Sequence, residues 1–317
     1  MELSGPEKLH KLVHTLSQVI LGKEDVIKKM VVGLASGGHI LFEDVPGVGK
    51  TTLIKGLAKA IGCDFRRIQC TPDLLPSDIT GVTVYNAKTG QWDFQKGPLF
   101  TQILLVDEIN RTSPKTQAAL LEGMEENQVT VDGTTYYLEE PFLVLATQNP
   151  QEYEGTFPLP ESQLDRFTMK LTLGYPPMQD EVRFLATGIR RQAWLDVEQV
   201  MDPSEFLAVQ KEIELVHVAN NLLEYAAGLS NATRVHAKVE LGISPRGTLH
   251  LVKCAMAMAY ACNRDYVLPE DIQQMLFPVY KQRLVLDAKL FYEEVTAEAI
   301  LKEVLAQVRV PGNNGNR

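Results

Sequence analysis

Apolar and polar residues follow two different patterns along the chain, and the change falls near residue 175. The first part contains short apolar-rich runs separated by turn residues or polar segments. These runs read GHILFEDV, DFRRIQC, QILLVDEI, FLVLATQN and FTMKLTL. Because they alternate with helix-like segments, they predict a parallel β-sheet with helices on both faces. QILLVDEI and FLVLATQN are almost continuously apolar, so we expect them to be buried central strands.

Two further stretches predict β-hairpins inserted into this scheme. Residues 128–139 place β-forming side chains on both sides of an Asp-Gly dipeptide, which favours a tight hairpin turn. Residues 81–98 have the same pattern around a Lys-Thr-Gly turn. Tyr85, Trp92 and Phe94 alternate along this first hairpin. We expect them to form the packing core of the hairpin, with a surface that grips a substrate as the alternative.

After a Gly-Tyr-Pro-Pro break, apolar residues recur at three- and four-residue spacing, which predicts helices. We therefore expect an α/β core over residues 1–175 and a smaller α-helical domain over residues 178–310. Ser204 and Ser244 precede two of the helical patterns and are predicted N-caps. Residues 311–317, rich in Gly and Asn, are expected to be disordered.

Composition narrows the class of protein. The chain has 317 residues, 45% of them apolar and 22% charged, as in ordinary soluble globular proteins. Its formal net charge of −9 argues against a nucleic-acid partner, since such proteins concentrate basic residues on one face. The sequence contains neither a signal peptide nor an apolar run long enough to span a membrane. The four cysteines have no zinc-ligand spacing. These features predict a cytoplasmic protein without direct membrane insertion.

A glycine-rich segment between a predicted strand and a predicted helix indicates a phosphate-binding loop. It reads DVPGVGKT, so Asp44 occupies the position of the motif's usual first glycine. Gly47 and Gly49 let the backbone curl so that its N–H groups face phosphate oxygens. Lys50 can reach the β- and γ-phosphates, and the hydroxyl of Thr51 can bind Mg²⁺.

Two more strand ends carry polar groups suited to the same chemistry. ILLVDEIN ends a predicted strand with Asp107 and Glu108. The first acid can bind Mg²⁺, and the second can polarise a water molecule for attack on the γ-phosphate. Asn149 follows the next apolar strand and can present its amide between that water and the phosphate. The loop and the acidic pair together predict a nucleotide hydrolase.

Five motifs in this order resemble the MoxR family of AAA+ ATPases. They are EDVPGVGKT, TPDLLPSDITG, LLVDEINRTSPKTQAALLEGMEENQVTVDG, LATQNPQEYEGTFPLPESQLDRF and GISPRG. The resemblance covers nearly the whole chain. It implies a P-loop AAA+ sheet followed by a C-terminal α-helical lid.

The resemblance also implies roles for individual residues. In chain order these are the adenine-contacting Ile20, Leu21 and Gly22, the Walker A residues Gly47, Val48, Gly49, Lys50, Thr51 and Thr52, the Walker B pair Asp107 and Glu108, Arg111 at a subunit interface, the sensor 1 residue Asn149, the arginine finger Arg166 and the sensor 2 residue Arg246. Glu108 would be the catalytic base, with Thr51 and Asp107 on Mg²⁺. The arginine finger reaches the γ-phosphate of a neighbouring subunit. Whether Arg246 serves its own subunit or a neighbour stays open.

The function implied by the family is a Mg²⁺-dependent hydrolase of ATP that forms a homo-oligomeric ring, expected to be a hexamer. Relatives of this type act as chaperones on client proteins, together with von Willebrand factor A-domain partners. The alternative is a nucleotide-dependent binding switch or a nucleic-acid-associated AAA+ motor. A GTPase switch would need an N-K-x-D motif, which NAKT at residues 86–89 does not complete. The acidic balance does not favour the motor.

Overall fold

The computed structural model describes residues 3–150, 155–188, 193–287 and 295–312. Its regular elements in chain order are α1 (Gly5–Val19), α2 (Glu24–Ala35), β1 (Ile40–Glu43), α3 (Lys50–Ala60), β2 (Phe65–Gln69), α4 (Pro76–Thr80), β3 (Gly81–Asn86), β4 (Gln91–Lys96), β5 (Ile103–Asp107), α5 (Pro114–Glu126), β6 (Gln128–Val131), β7 (Thr134–Tyr137), β8 (Leu143–Gln148), α6 (Glu161–Leu164), β9 (Met169–Leu171), α7 (Met178–Gly188), α8 (Pro203–Ile213), α9 (Asn220–Arg234), β10 (Val239–Leu241), α10 (Pro245–Ala261), α11 (Pro269–Tyr280), β11 (Val285–Leu286) and α12 (Ala297–Gln307). Most of the tail predicted to be disordered lies outside the described residues.

Five of these strands form one parallel sheet in the order β2-β5-β8-β1-β9. All five apolar runs identified in the sequence supply a strand of it, which confirms the predicted parallel sheet. β1 lies between β8 and β9, so Ile40 is in register with Leu145 on one side and Met169 on the other. Since every strand is parallel, the carboxyl ends of β1, β5 and β8 lie along one edge, and these ends carry the predicted phosphate loop, acidic pair and Asn149.

Alternation along the central strands divides the core between the two faces of the sheet. In β5, Ile103 and Leu105 belong to the apolar cluster beneath α1–α3, whereas Leu104 and Val106 belong to the cluster beneath α5. All four side chains are fully buried. Burial of such a side chain contributes about 1.5–3 kcal/mol. The continuous apolar run therefore reflects burial on both faces, as predicted.

Both predicted hairpins are present, but the aromatic residues of the first one do not share a single core. β3 pairs with β4 and β6 pairs with β7, each antiparallel. Phe94 stacks on Tyr136 of the second hairpin, with ring centroids 4.2 Å apart. Tyr85 and Trp92 contact each other at 5.3 Å but are 52% and 70% exposed. The packing role is therefore correct for Phe94 alone, because the hairpin buries only the part next to its neighbour.

The helical second part is as predicted, with one cap corrected. Ser244 caps α10, since its side chain accepts a hydrogen bond from the N–H of Gly247 at 3.0 Å. The N-cap of α8 is Asp202 rather than Ser204. Pro203 occupies the first turn, so the residue before it is the one whose carboxylate faces the unsatisfied N–H groups. Ser204 lies inside the helix and donates to Asp202 at 2.6 Å.

The amino-terminal helices pack against the carboxyl-terminal ones. Buried leucines of α1, such as Leu12 and Leu16, belong to the same apolar cluster as Cys254 and Met258 of α10. α2 also contacts α8 and α10. The last helices therefore share one continuous core with the first, on one face of the sheet. No helix within the described ranges is long and apolar enough to cross a membrane.

Candidate active site

The phosphate-binding loop connects the end of β1 to the start of α3, as the sequence predicts. Gly47 and Gly49 have φ angles of 85° and 95°, in the left-handed region that favours glycine. A Cβ at Gly49 would also lie 2.8 Å from Cδ1 of Ile20, so a larger residue would have to displace this side chain in addition to straining the backbone. Gly49 is the N-cap of α3. The first-turn N–H groups of α3 and its dipole consequently face the loop, where an anion binds favourably.

Lys50 extends into this loop from the first residue of α3. Its Nζ donates to the carbonyl oxygen of Val45 at 2.8 Å. Partial burial lowers the pKa of the ammonium group, while the charges of Asp44, Asp107 and Glu108 oppose that shift. The ammonium is thus held among three carboxylates and directed along the loop, where it can neutralise phosphate charge.

The acidic pair lies at the carboxyl end of β5. Asp107 is buried, and its Oδ2 accepts a hydrogen bond from Nε of Arg67 at 2.6 Å. Its Oδ1 accepts from Oγ1 of Thr147 at 3.2 Å. The same hydroxyl oxygen accepts from the backbone N–H of Glu108 at 2.9 Å. Thr147 therefore joins the two acids to the neighbouring strand β8.

Glu108 extends its carboxylate away from the strand because its backbone is in the left-handed region, with φ of 57°. Its Oε2 accepts hydrogen bonds from Nε2 of Gln69 at 2.8 Å and from Nη1 of Arg111 at 3.1 Å. These two donors fix the direction of a carboxylate that borders the cleft. Arg111, predicted at a subunit interface, contacts this group within its own chain.

Arg67 and Gln69 are site residues that the sequence did not reveal. They occupy alternate positions of β2, so they share one face of the strand. β2 is adjacent to β5 at the edge of the sheet, with Gln69 in register with Asp107. The polar residues within β2, which reads FRRIQ, were the available signal. Their partners, however, depend on which strands are neighbours in the sheet, and the order of the strands along the chain does not reveal this.

The loop and the strand ends enclose a cleft of about 340 Å³. Asn149, directly after β8, is buried and lines it. The residues that line this cleft are Asp44, Pro46, Gly47, Gly49, Lys50, Thr51, Thr52, Arg67, Gln69, Asp107, Glu108, Thr147, Gln148 and Asn149. The structure therefore brings together the predicted phosphate loop, acidic pair and Asn149. Val48, by contrast, is half-buried against the core.

Asp44, at the position of the motif's usual first glycine, connects the loop to a distant part of the chain. Only 5% of the residue is exposed. Its Oδ2 accepts backbone hydrogen bonds from Leu173 at 2.6 Å and from Gly174 at 2.9 Å, and its Oδ1 accepts from Val45 at 3.0 Å. A glycine could not make these bonds. Asp44 thus attaches the start of the phosphate loop to the segment that leads from β9 to α7.

The segment predicted to contact adenine lies beside the loop. Ile20 covers Gly49, and Leu21 is half-buried. A Cβ added to Gly22 would lie 2.9 Å from Cδ of Pro177 and closer still to Asp180, so this glycine allows α7 to approach. None of these three residues lines the phosphate cleft itself. They form an apolar flank between the loop and the start of the helical part.

Arg166 and Arg246 lie at the opposite edge of the sheet. Arg166 lies just before β9. The start of β9 is fixed by a hydrogen bond from the N–H of Thr168 to the carbonyl oxygen of His39, the residue before β1. Arg246 is in the first turn of α10. Neither arginine lines the cleft. The two edges are separated by the length of the strands, about 13 Å for the four residues of β1.

One carboxylate contacts both arginines. Oε2 of Glu125 lies 3.1 Å from Nε of Arg166, and Oε1 accepts a hydrogen bond from Nη2 of Arg246. Glu125 is in the last turn of α5, and the preceding residue, Met124, offers its carbonyl oxygen to Nε2 of His39 at 3.0 Å. We call Glu125, Arg166 and Arg246 the arginine cluster.

The donor set of the cleft fits Mg²⁺ bound together with phosphates. Hydroxyl and carboxylate oxygens are the ligands that this ion prefers, and Thr51 and Asp107 supply one of each. In the part of the chain that the structure describes, no three His, Cys, Asp or Glu side chains form a metal cage. Mg²⁺ commonly binds through one or two protein ligands plus substrate phosphates. The cleft therefore suits a metal that arrives with the nucleotide.

Comparison with known proteins agrees with this geometry. A family model described as "ATPase family associated with various cellular activities (AAA)" matches residues 39–169, and an AAA lid domain model matches residues 231–304. The protein YeaC of Bacillus subtilis is 48% identical over 96% of this chain and 95% of its own length. Chaperone MoxR1 of Mycobacterium tuberculosis is 37% identical over 98% of this chain and 86% of its own. The chain belongs to the MoxR family of AAA+ ATPases.

A solved structure extends this likeness to three dimensions. The crystal structure of a Cytophaga hutchinsonii protein superposes with a TM-score of 0.90 at 38% identity, covering 97% of this chain and 96% of that one. The AAA model spans the phosphate loop, the acidic pair, Asn149 and Arg166, and the lid model spans Arg246. The fold is therefore that of a MoxR-type ATPase, an AAA core followed by an AAA lid.

Proposed function

We propose that this MoxR-family chain hydrolyses ATP to ADP and phosphate with Mg²⁺, as a ring of identical subunits. The observation that carries the proposal is the separation of the cleft from the arginine cluster. A guanidinium at the amino-terminal edge cannot contact a nucleotide bound at the carboxyl-terminal edge of its own sheet. It can contact one in an adjacent copy. Head-to-tail association of this kind generates rings when the rotation closes. A ring of six is the form that the family resemblance favours.

The residues predicted from the sequence then have separate roles in hydrolysis. The N–H groups of Gly47, Val48, Gly49, Thr51 and Thr52 surround the phosphates, and Lys50 neutralises their charge. Thr51 and Asp107 would hold Mg²⁺, which would offset charge that develops on the phosphate oxygens. Glu108 accepts a proton from the attacking water, and Asn149 orients that water. Ile20, Leu21 and Gly22 contact the adenine.

Arg166 and Arg246 complete the site of the neighbouring subunit. Charge accumulates on the phosphate oxygens in the transition state, and an arginine supplied by a partner stabilises it. The shared contact with Glu125 supports the assignment of both arginines to the same, neighbouring nucleotide. We propose the domain boundary near residues 175–178, so that Arg166 belongs to the core and Arg246 to the lid.

The experiment that tests this proposal combines two inactive variants. Arg166→Ala retains its own cleft, whereas Glu108→Gln retains its arginines. Each variant alone should hydrolyse little ATP, but mixed rings should recover a fraction of wild-type turnover, abolished by chelating Mg²⁺. The matched controls are each variant mixed with itself at equal total concentration. Mixed rings, verified by co-purification of differently tagged variants, that stay inactive would refute action between subunits.

We further propose that turnover remodels or matures client proteins, together with a partner that contains a von Willebrand factor A domain. The name of its relative, Chaperone MoxR1, supports this class of role. ATP-loaded Glu108→Gln protein should retain client and partner during purification from its native cell, because it cannot complete turnover. Lys50→Ala protein, unable to load ATP, is the control. Equal recovery of all proteins with both variants would count against the chaperone role.

A further inference from the structure

Glu125 occupies a position that its own helix disfavours. It lies in the last turn of α5, next to Glu126, where the helix dipole presents partial negative charge. Carboxylates there are destabilised unless cations compensate. Arg246 donates a hydrogen bond to Glu125, and Arg166 adds its charge, and together they hold the pKa of this carboxyl below its usual value. Glu125 therefore does not stabilise α5, and its contacts with Arg166 and Arg246 are the interactions that account for a carboxylate at this position.

The contacts of Glu125 contribute little to folding. The side chains of Glu125, Arg166 and Arg246 are 32%, 29% and 41% exposed. Ion pairs at this exposure contribute little to the free energy of unfolding, since water screens the charges and the side chains lose freedom. Partial exposure also leaves the guanidinium groups accessible from outside the chain. A role in binding an external anion therefore explains the arrangement better than a role in stability.

An ion pair between buried Arg283 and partly buried Asp165 fixes the backbone beneath the arginine cluster. Nε of Arg283 donates to Oδ1 of Asp165 at 2.6 Å, and the Arg283 side chain is only 3% exposed. Oδ2 of the same carboxylate accepts from Oγ of Ser244, the N-cap of α10, at 2.8 Å. Asp165 is adjacent to Arg166, and Ser244 starts the helix turn that carries Arg246. The partly buried carboxylate of Asp165 thus links the backbone segments that carry Arg166 and Arg246.

Glu125 orients the other ends of the two side chains. Without a carboxylate between them, two neighbouring guanidinium groups repel each other and separate. Arg166 faces Glu125 through Nε and Arg246 through Nη2, so one carboxylate is shared by two cations and the cluster retains net positive charge. Within the described ranges, Glu125 is the one carboxylate at ion-pair distance from either group.

We propose that Glu125 is a positioning residue that gathers Arg166 and Arg246 into one two-arginine site for the γ-phosphate of the neighbouring subunit's nucleotide. The inference rests on the proposed function and adds the element that aligns the arginines. Glu125 does not touch the nucleotide. It sets the distance between the guanidinium groups of Arg166 and Arg246, which do contact the nucleotide. The two side chains are therefore oriented before the subunits associate.

The test is ATP turnover of Glu125→Gln rings, with Glu126→Gln as the matched control in the same turn of α5. Glu125→Gln should lower kcat by between about tenfold and 100-fold, because misplaced groups lose transition-state stabilisation on that scale. ATP affinity of dilute, unassembled protein should be unchanged. Glu126→Gln should behave as wild type. Wild-type kcat for Glu125→Gln would overturn the proposal.

Mixed rings separate positioning from damage to the subunit itself. A Glu125→Gln subunit keeps an intact cleft, so a Glu108→Gln neighbour, which keeps an ordered arginine cluster, should restore its turnover. An Arg166→Ala neighbour should not. If both neighbours leave turnover low, Glu125 acts inside its own subunit and the proposal fails. If the Arg166→Ala and Glu108→Gln mixture is itself inactive, the proposed function fails instead, so the two failures are distinguishable.

Discussion

The cleft and the arginine cluster are built in different ways, although both carry residues expected to act on one phosphate. The cleft combines strand ends along one edge of a parallel sheet, where consecutive motifs meet because all strands run in the same direction. The arginine cluster joins α5, the loop before β9 and α10, which are distant in sequence. All residues that line the cleft therefore come from one chain, whereas the role that we propose for the cluster requires a second chain.

Removing one cation from each region should produce the largest difference between the cleft and the arginine cluster. Arg166→Ala should reduce turnover by roughly 10³-fold, since an arginine supplied by a partner contributes on that order to phosphoryl transfer. Its affinity for a fluorescent ATP analogue, measured on dilute protein, should be unchanged. Lys50→Ala should instead abolish that binding. Lys55→Ala, further along the same helix, is the control for Lys50. Similar loss of affinity in the Arg166 and Lys50 variants would mean that the two regions are not separate.

A second prediction concerns the attachment of the cleft to the helical part. Asp44→Ala should lower the free energy of unfolding by about 2–3 kcal/mol, because it leaves three backbone N–H groups without their buried acceptor. Denaturant titration measures this change. Asp25→Ala, which removes an exposed carboxylate paired with Lys29, should change the value by less than about 0.5 kcal/mol. Equal effects of the two substitutions would remove the structural role of Asp44.

The smallest predicted effect is a pH dependence at the base of the arginine cluster. Burial lowers the pKa of His39 from 6.5 to about 4. Between these values the unfolded chain binds a proton that the folded chain does not, so the free energy of unfolding decreases as pH falls from 6.5 to about 4. His39 should contribute about 1–3 kcal/mol to that decrease.

The variant His39→Gln should show a shallower dependence over the same window, measured by thermal or urea unfolding at several pH values. Some dependence should persist, because burial also lowers the pKa of His250, to about 3. His10→Gln, at an exposed position on α1, is the control and should keep the wild-type slope. A His39→Gln slope as steep as that of wild type would show that His39 is not the titrating group.

The sequence predicted the regular elements well because their signals are local. Apolar runs marked all five strands of the sheet, and turn chemistry marked both hairpins. The N-cap of α8 was misjudged between two candidates close in sequence, Asp202 and Ser204. The aromatic residues of the first hairpin were assigned to one core because their spacing does not reveal that the second hairpin packs beside it. There, Tyr136 stacks on Phe94.

The phosphate loop, the acidic pair and the family could be recognised from local motifs alone, because glycine, lysine and carboxylate at fixed spacing have few other uses between a strand and a helix. Only the tertiary structure showed that Asp44 attaches the loop to Leu173 and Gly174, and that Gln69 contacts Glu108. It alone brought Arg166 and Arg246 to one carboxylate at the far edge. The reason is physical. Local motifs fix backbone conformation over a few residues, whereas contacts between distant segments follow from strand order and from how the helices share the core.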